Sequence, residues 1–196
     1  MGSNEDEYTR MIPNETNLPF QEPLKISSIS FCLGTTFGIS LFGVFVTTNV
    51  YFALLSRFSM FVSLYHMLEY TSVAKFNPKY LEINSFMFNP DGDYNFVYAM
   101  LFSIVELTIE CLIWPTFKKN IVFNTLGLMM VLFGQGLRTG AMVSAKTSFN
   151  HYIATSKEAS HKLITSGVYK YERHPSYVGF LLWAVGLQIM LMNPAI

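Results

Sequence analysis

The sequence predicts an all-α fold, a polytopic α-helical membrane protein with about five transmembrane helices in this chain, and three observations predict it. Composition is the first: 51% of residues are hydrophobic and 16% aromatic, but only 13% are charged, where an average soluble domain carries about 25%. The second is patterning. No Asp, Glu, Lys or Arg falls between Lys25 and Arg57, between Lys119 and Arg138, or after Arg173, and each block can hold the roughly 17 to 25 residues that cross a hydrocarbon core about 30 Å thick. The third is punctuation: Asn77-Pro78, Pro115 and Asn193-Pro194 fall between apolar stretches, where proline ends a helix and biases the residue before it away from the α region. Formal net charge is zero, without the basic excess that nucleic-acid binding leaves, so the expected partner is the lipid bilayer and not a nucleic acid.

The elements follow in order. Residues 1–24 read as a disordered acidic tail that lacks the basic start of a cleavable signal peptide; Asn14-Glu15-Thr16 is a glycosylation sequon that matters only on a lumenal tail. Residues 25–143 hold helices one to four. The first is expected over 26–48, with Gly34, Gly38 and Gly43 as small residues for close helix packing. Thr47-Thr48-Asn49 then makes a short polar turn into a second helix over 51–75, which contains Arg57, His66 and Glu69. Ionisable groups at membrane depth are costly and turn inward, so His66 and Glu69, three apart on one helical face, are expected to pair. Asn77-Pro78 ends that helix and a loop with an Asn89-Pro90-Asp91-Gly92 turn leads on. The third helix spans 95–114. Its Glu106 and Glu110 stand four apart, the spacing of a paired-carboxylate acid/base site, although a helix face packed against Arg or His explains them equally well. The fourth spans 121–142, with Arg138 near its end. Cys32 and Cys111 both lie in apolar blocks and read as core or lipid-facing residues.

Residues 144–176 are polar and carry Lys146, Lys157, Lys162, Lys170 and Arg173, which marks them as cytosolic by the positive-inside rule. With four crossings before them, Lys118-Lys119 falls on the lumenal side, against the same rule. Residues 177–196 form the last transmembrane helix, broken at Asn193-Pro194.

The stretch 167–193 carries the chemistry. Gly167 permits a turn with positive φ, Pro175 fixes φ and lacks a donor, and Tyr169 and Tyr177 offer flat faces with a hydroxyl. These suit recognition of a polar organic ligand; the competing reading is an aromatic belt at the membrane interface. His151, His161 and His174 stand ten and thirteen residues apart, whereas zinc-ligand spacing is usually tighter and includes Cys or carboxylate partners, so no metal site is expected.

Those residues, together with Phe149-Asn150-His151, His161-Lys162-Leu163-Ile164-Thr165, Gly167-Val168-Tyr169, Arg173-His174-Pro175-Ser176-Tyr177-Val178-Gly179 and the closing Asn193-Pro194, resemble the isoprenylcysteine carboxyl methyltransferase family. A looser resemblance covers 64–78 and 85–119. It implies an enzyme of the endoplasmic reticulum membrane, multi-pass, that uses S-adenosyl-L-methionine to methylate the C-terminal carboxylate of farnesyl- or geranylgeranyl-cysteine in prenylated, processed CaaX proteins. By the same resemblance the donor is held by His161, Lys162, Leu163 and Ile164, by Tyr169, and by His174, Pro175, Ser176 and Tyr177. A glutamine contact of some members falls near Ala154 here and is not carried over. The family's substrate-contacting arginine and cofactor-contacting glutamate lie beyond the position of Ile196, so no catalytic residue is assigned and the chain as given is expected to bind the donor weakly at most and to methylate slowly or not at all. The alternatives are a phospholipid methyltransferase, which shares a similar cofactor segment, and a truncated, non-catalytic membrane interaction protein, such as a homo-oligomer joined through its small-residue faces.

Overall fold

The computed structural model of the chain describes residues 21–78, 81–88, 94–149 and 163–194. Five long helices run through them: α1 (Gln21–Val46), α2 (Val50–Phe76), α3 (Asn95–Ile113), α4 (Ile121–Ala145) and α5 (Pro175–Leu191). α1, α3 and α4 are long and apolar enough to cross a membrane. α5 is equally apolar but has 17 residues, about 26 Å at 1.5 Å per residue. α2 is the charged one.

Local sequence explains the boundaries. α1 starts at Gln21, inside the stretch read as tail, because Pro23 sits in its first turn, where a missing N–H costs nothing. Asn49 caps α2: its side-chain oxygen accepts from the Tyr51 and Phe52 N–H groups, at 2.9 and 3.4 Å. Asn77, which has left the helical region before Pro78 at φ -142° and ψ 54°, ends α2. Asn120 caps α4 as Asn49 caps α2. Between α2 and α3 the chain is more ordered than a plain loop, since Ile83–Phe86 forms a 3-10 turn that buries Ser85 and Phe86.

α2 is the hub. Leu54, Phe58, Phe61 and Tyr65 recur at helical spacing on one face and meet Leu107 of α3, Val131 of α4 and Trp183, Leu187, Met190 and Leu191 of α5. Tyr65 stacks on Trp183 with centroids 4.5 Å apart. The outward faces carry Phe31, Phe42 and Phe45 on α1 and Leu112 on α3, all largely exposed, as a bilayer-facing surface requires.

α4 and α5 approach until their backbones touch. A Cβ on Gly127 would lie 2.2 Å from the Met190 nitrogen, and one on Gly134 2.5 Å from the Trp183 nitrogen; Gly179 and Gly186 face the α4 backbone in the same way. The glycines singled out on α1 behave differently. Gly43 meets Ser56, but Gly34 and Gly38 face open space among the described residues, so of the three only Gly43 takes part in close packing there.

The expected pairing of His66 with Glu69 is replaced by other partners. His66 Nδ1 hydrogen-bonds the Phe86 carbonyl oxygen at 2.6 Å, and its ring stacks on Phe88. Glu69 instead receives Arg138 of α4. A ring one turn nearer the centre of α2 reaches the 83–86 turn, while Glu69 points across the bundle; shared helical face does not fix which neighbouring element each side chain meets.

Lys118, in the short connection between α3 and α4, is buried. Its ammonium donates to the Leu191 and Met192 carbonyls at 2.8 and 2.9 Å, to Asn193 Oδ1 at 2.9 Å, and to the Glu110 carboxylate. Helix C-termini leave carbonyls unmatched and carry partial negative charge; Lys118 answers both for α5, where Met192 has turned into the left-handed region at φ 57°. Glu110 is thus the counter-ion of a lysine, not of the Arg or His expected. Asn193 donates to the Ser103 carbonyl at 2.9 Å, so the Asn-Pro break is an anchor between α5 and α3. Lys118 is thus held inside the protein, and Lys119 is the exposed lysine of this connection.

Candidate functional site

The described part of the polar segment, 144–149 and 163–174, lies at the end of the bundle where α2 and α4 finish and α5 begins. Asn77, at the C-terminus of α2, donates to the Phe149 carbonyl at 2.9 Å and ties down the chain as it leaves α4. Residues 163–174 return to start α5. Gly167 adopts φ 61°, and a Cβ there would sit 2.3 Å from Ser144 Oγ. Both the left-handed turn and the close approach to α4 demand glycine at this point. It opens the 3-10 turn Gly167–Lys170, whose Val168 lies against Gly140 of α4.

His161 and Lys162 lie outside the described residues. Leu163 is 91% exposed and Ile164 half-buried at the mouth of the segment. Tyr169 is half-buried, and burial pushes its phenol up from the ordinary value, so it remains a neutral hydrogen-bonding group at physiological pH. His174 precedes α5 and its backbone N–H donates to Glu172 Oε1 at 3.2 Å. Pro175 is the buried first residue of the helix, where its missing N–H and fixed φ are tolerated. Tyr177 is exposed, its ring edge-on to that of His174 at 6.4 Å. The structure thus brings 163–177 together on one end of the bundle, with His174, Pro175, Ser176 and Tyr177 on a single turn.

Ser176 connects this turn to the interior. Arg138 Nη1 donates to Ser176 Oγ at 3.2 Å and to the Ser176 carbonyl at 3.4 Å. The rest of the guanidinium faces Glu69: Nε donates to Oε1 and Nη2 to Oε2, the latter at 2.9 Å. Both residues are buried, and Tyr65 and Phe180 flank the guanidinium at 5.4 and 5.3 Å. The sequence reading passed over this pair as a site feature, although one signal for it was present. Arg138 interrupts a long apolar helix, and a cation at membrane depth must find a carboxylate.

The segment fits an adenosyl sulfonium donor in kind: an exposed leucine at 163 and a half-buried isoleucine at 164, two phenols, an imidazole, and a 17-residue helix whose N-terminus has no side-chain cap. Aromatic faces take an adenine ring or a cationic sulfonium, and a helix N-terminus favours a carboxylate.

The pattern of the isoprenylcysteine carboxyl methyltransferase (ICMT) family matches residues 125–196. Protein-S-isoprenylcysteine O-methyltransferase of Saccharomyces cerevisiae is 36% identical over 196 residues, covering 97% of this chain and 78% of that protein. That of Schizosaccharomyces pombe is 37% identical over 182 residues, covering 86% and 76%. The mouse protein of the same name is 44% identical over 133 residues, 68% of this chain and 46% of its own length; the chain thus spans under half of the vertebrate relatives it matches. A solved structure of the eukaryotic intramembrane Ras methyltransferase ICMT superposes with a TM-score of 0.77 at 31% identity, over 83% of this chain and 57% of that one. Alignment to more than three quarters of the two yeast proteins, together with the shared arrangement of membrane helices, makes this chain a member of the isoprenylcysteine carboxyl methyltransferase family.

Proposed function

We propose that the chain transfers a methyl group from S-adenosyl-L-methionine to the C-terminal carboxylate of prenylated cysteine in processed CaaX proteins. The observation that carries this reading is the assembled turn of His174, Pro175, Ser176 and Tyr177 beside Tyr169, at a membrane-helix boundary, in a chain of this family. S-adenosylmethionine, when bound, supplies an electrophilic methyl on a sulfonium. Tyr169 and Tyr177 offer it aromatic faces, Leu163 and Ile164 an apolar surface, and the first turn of α5 its N–H groups; His161 and Lys162 complete the proposed set. No strong base is required, because a carboxylate with an ordinary pKa near 3.5 is ionised at neutral pH and is already the nucleophile. The residues have to align the two reactants and strip water from the carboxylate.

The reading includes an orientation. Lys25, Lys75, Lys146, Lys170 and Arg173 all stand at the end of the bundle that carries the segment, whereas the opposite end has the neutralised Lys118 and Lys119. Basic residues mark the cytosolic side, where a soluble donor is at hand, while a prenyl chain enters from the bilayer in the endoplasmic reticulum.

The test is label transfer from S-adenosylmethionine in membranes carrying this chain and no other family member, with a farnesylcysteine analogue and phosphatidylethanolamine offered together. A base-labile methyl ester on the farnesylcysteine above the level of empty membranes is expected. Label on phosphatidylethanolamine alone would move the chain to phospholipid methylation. Absence of transfer, with no donor crosslinking at Tyr169 or His174, would leave a membrane interaction protein.

A further inference from the structure

Arg138 and Glu69 are a buried ion pair between α4 and α2, and stability alone is a poor reason for one. Removing two charges from water costs several kcal/mol each, and well-packed apolar residues often do as well or better. What the pair does have is direction. The planar guanidinium uses Nε and Nη2 on the Glu69 carboxylate, which leaves Nη1 aimed at Ser176. Bidentate geometry fixes the plane of the group, and the Tyr65 and Phe180 rings close off lateral movement. The α5 backbone also sits directly on this residue: a Cβ on Gly179 would be 2.6 Å from the Arg138 nitrogen. By contrast, the N-terminus of α5 has no side-chain cap from His174, only the Glu172 contact to its N–H. The first turn of α5 therefore takes its orientation largely from inside the bundle.

We propose that Arg138, oriented by Glu69, is a positioning residue that sets the first turn of α5, and through Ser176 the neighbouring His174 and Tyr177, for the methyl donor. The proposal rests on the reading of 163–177 as the donor segment. It differs from a general structural role in what it predicts: disturbing Arg138 weakens the donor site and leaves the prenyl site as it was.

Arg138→Lys separates the two roles. A lysine keeps a positive charge for Glu69, but its ammonium is a single point and cannot hold a carboxylate at two oxygens while reaching Ser176. The full chain in lipid nanodiscs is assayed for binding of S-adenosylhomocysteine, for the KM of S-adenosylmethionine and of a farnesylcysteine analogue, and for the melting temperature without ligand. Arg138→Lys is expected to raise the S-adenosylhomocysteine Kd and the donor KM about 10- to 100-fold, the range seen when the partner that orients a binding group is lost, with the farnesylcysteine KM within about twofold. Glu69→Asp, which draws the carboxylate back by one methylene, should shift the same quantities in the same direction and serves if the lysine variant does not accumulate. A folded variant that binds S-adenosylhomocysteine as tightly as the parent overturns the proposal, as does an equal rise in both KM values with a lowered melting temperature, the mark of a merely structural pair. If the parent chain itself neither binds S-adenosylhomocysteine nor transfers methyl, the donor-segment reading has failed and the positioning role goes with it.

Discussion

Lys118 and Lys119 are adjacent and chemically alike, yet they stand in opposite situations. Lys118 is buried with three oxygen acceptors from 191–193 and the Glu110 carboxylate around its ammonium, whereas Lys119 is exposed. Lys118→Met strands the half-buried Glu110 carboxylate and the buried acceptors at the end of α5, and is expected to cost about 3 kcal/mol. Lys119→Met should stay within about 0.5 kcal/mol. Thermal unfolding of both variants in detergent checks this, and similar melting temperatures would refute the assignment of Lys118. His66 makes the same point about direction. His66→Leu keeps the packing volume but leaves the buried Phe86 carbonyl without its donor, a loss of about 1 to 3 kcal/mol. No coupling to Glu69 is expected, so a double-mutant cycle of His66→Leu and Glu69→Gln should be additive within about 0.5 kcal/mol. That outcome would separate the two residues that sequence spacing alone had joined.

At the scale of elements, the α4–α5 contact decides how the candidate segment is held. Gly134 and Gly179 let the two backbones meet beside Arg138, which is why the guanidinium can span from Glu69 to the first turn of α5. Gly134→Ala forces a Cβ into the Trp183 backbone and is expected to cost at least the roughly 1 to 3 kcal/mol of an overpacked core, with loss of donor binding as α5 is pushed off Arg138. Gly34→Ala on α1, in open space, should be neutral or gain up to about 1 kcal/mol from helix propensity. Detergent melts and S-adenosylhomocysteine binding on the same two proteins measure both effects. Both glycines sit in apolar helices with further glycines nearby, so the sequence offered no means of ranking them. Gly167 was legible. A glycine between a polar segment and a helix-starting proline announces a turn, and the structure uses it for one with φ 61°.

For the whole molecule, alternation of the five helices puts residues 47–49, 114–120 and 192–194 at one end and, among the described residues, 77–78, 81–88, 146–149 and 163–174 at the other, consistent with Lys118 touching 191–193 and Asn77 touching Phe149. Single cysteines placed at Lys119 and Lys170, in a chain whose Cys32 and Cys111 are replaced by serine, report this with a membrane-impermeant maleimide. In sealed microsomes Lys170→Cys is expected to label at once and Lys119→Cys only after permeabilisation; the reverse pattern would invert the proposed topology. The sequence by itself determined that this is a helical membrane protein, where its helices stop, and which stretch is polar and aromatic. Hydrocarbon thickness, proline geometry and turn chemistry are local or compositional constraints, written directly into residue order. Only the tertiary structure decided the partners of the buried charges: Glu69 with Arg138, Glu110 with Lys118, His66 with the Phe86 carbonyl. A buried ion must pair, but which of several candidates it meets depends on helix rotation and depth, set by the packing of α2 against α3, α4 and α5 and by the glycines that let α4 and α5 meet backbone to backbone.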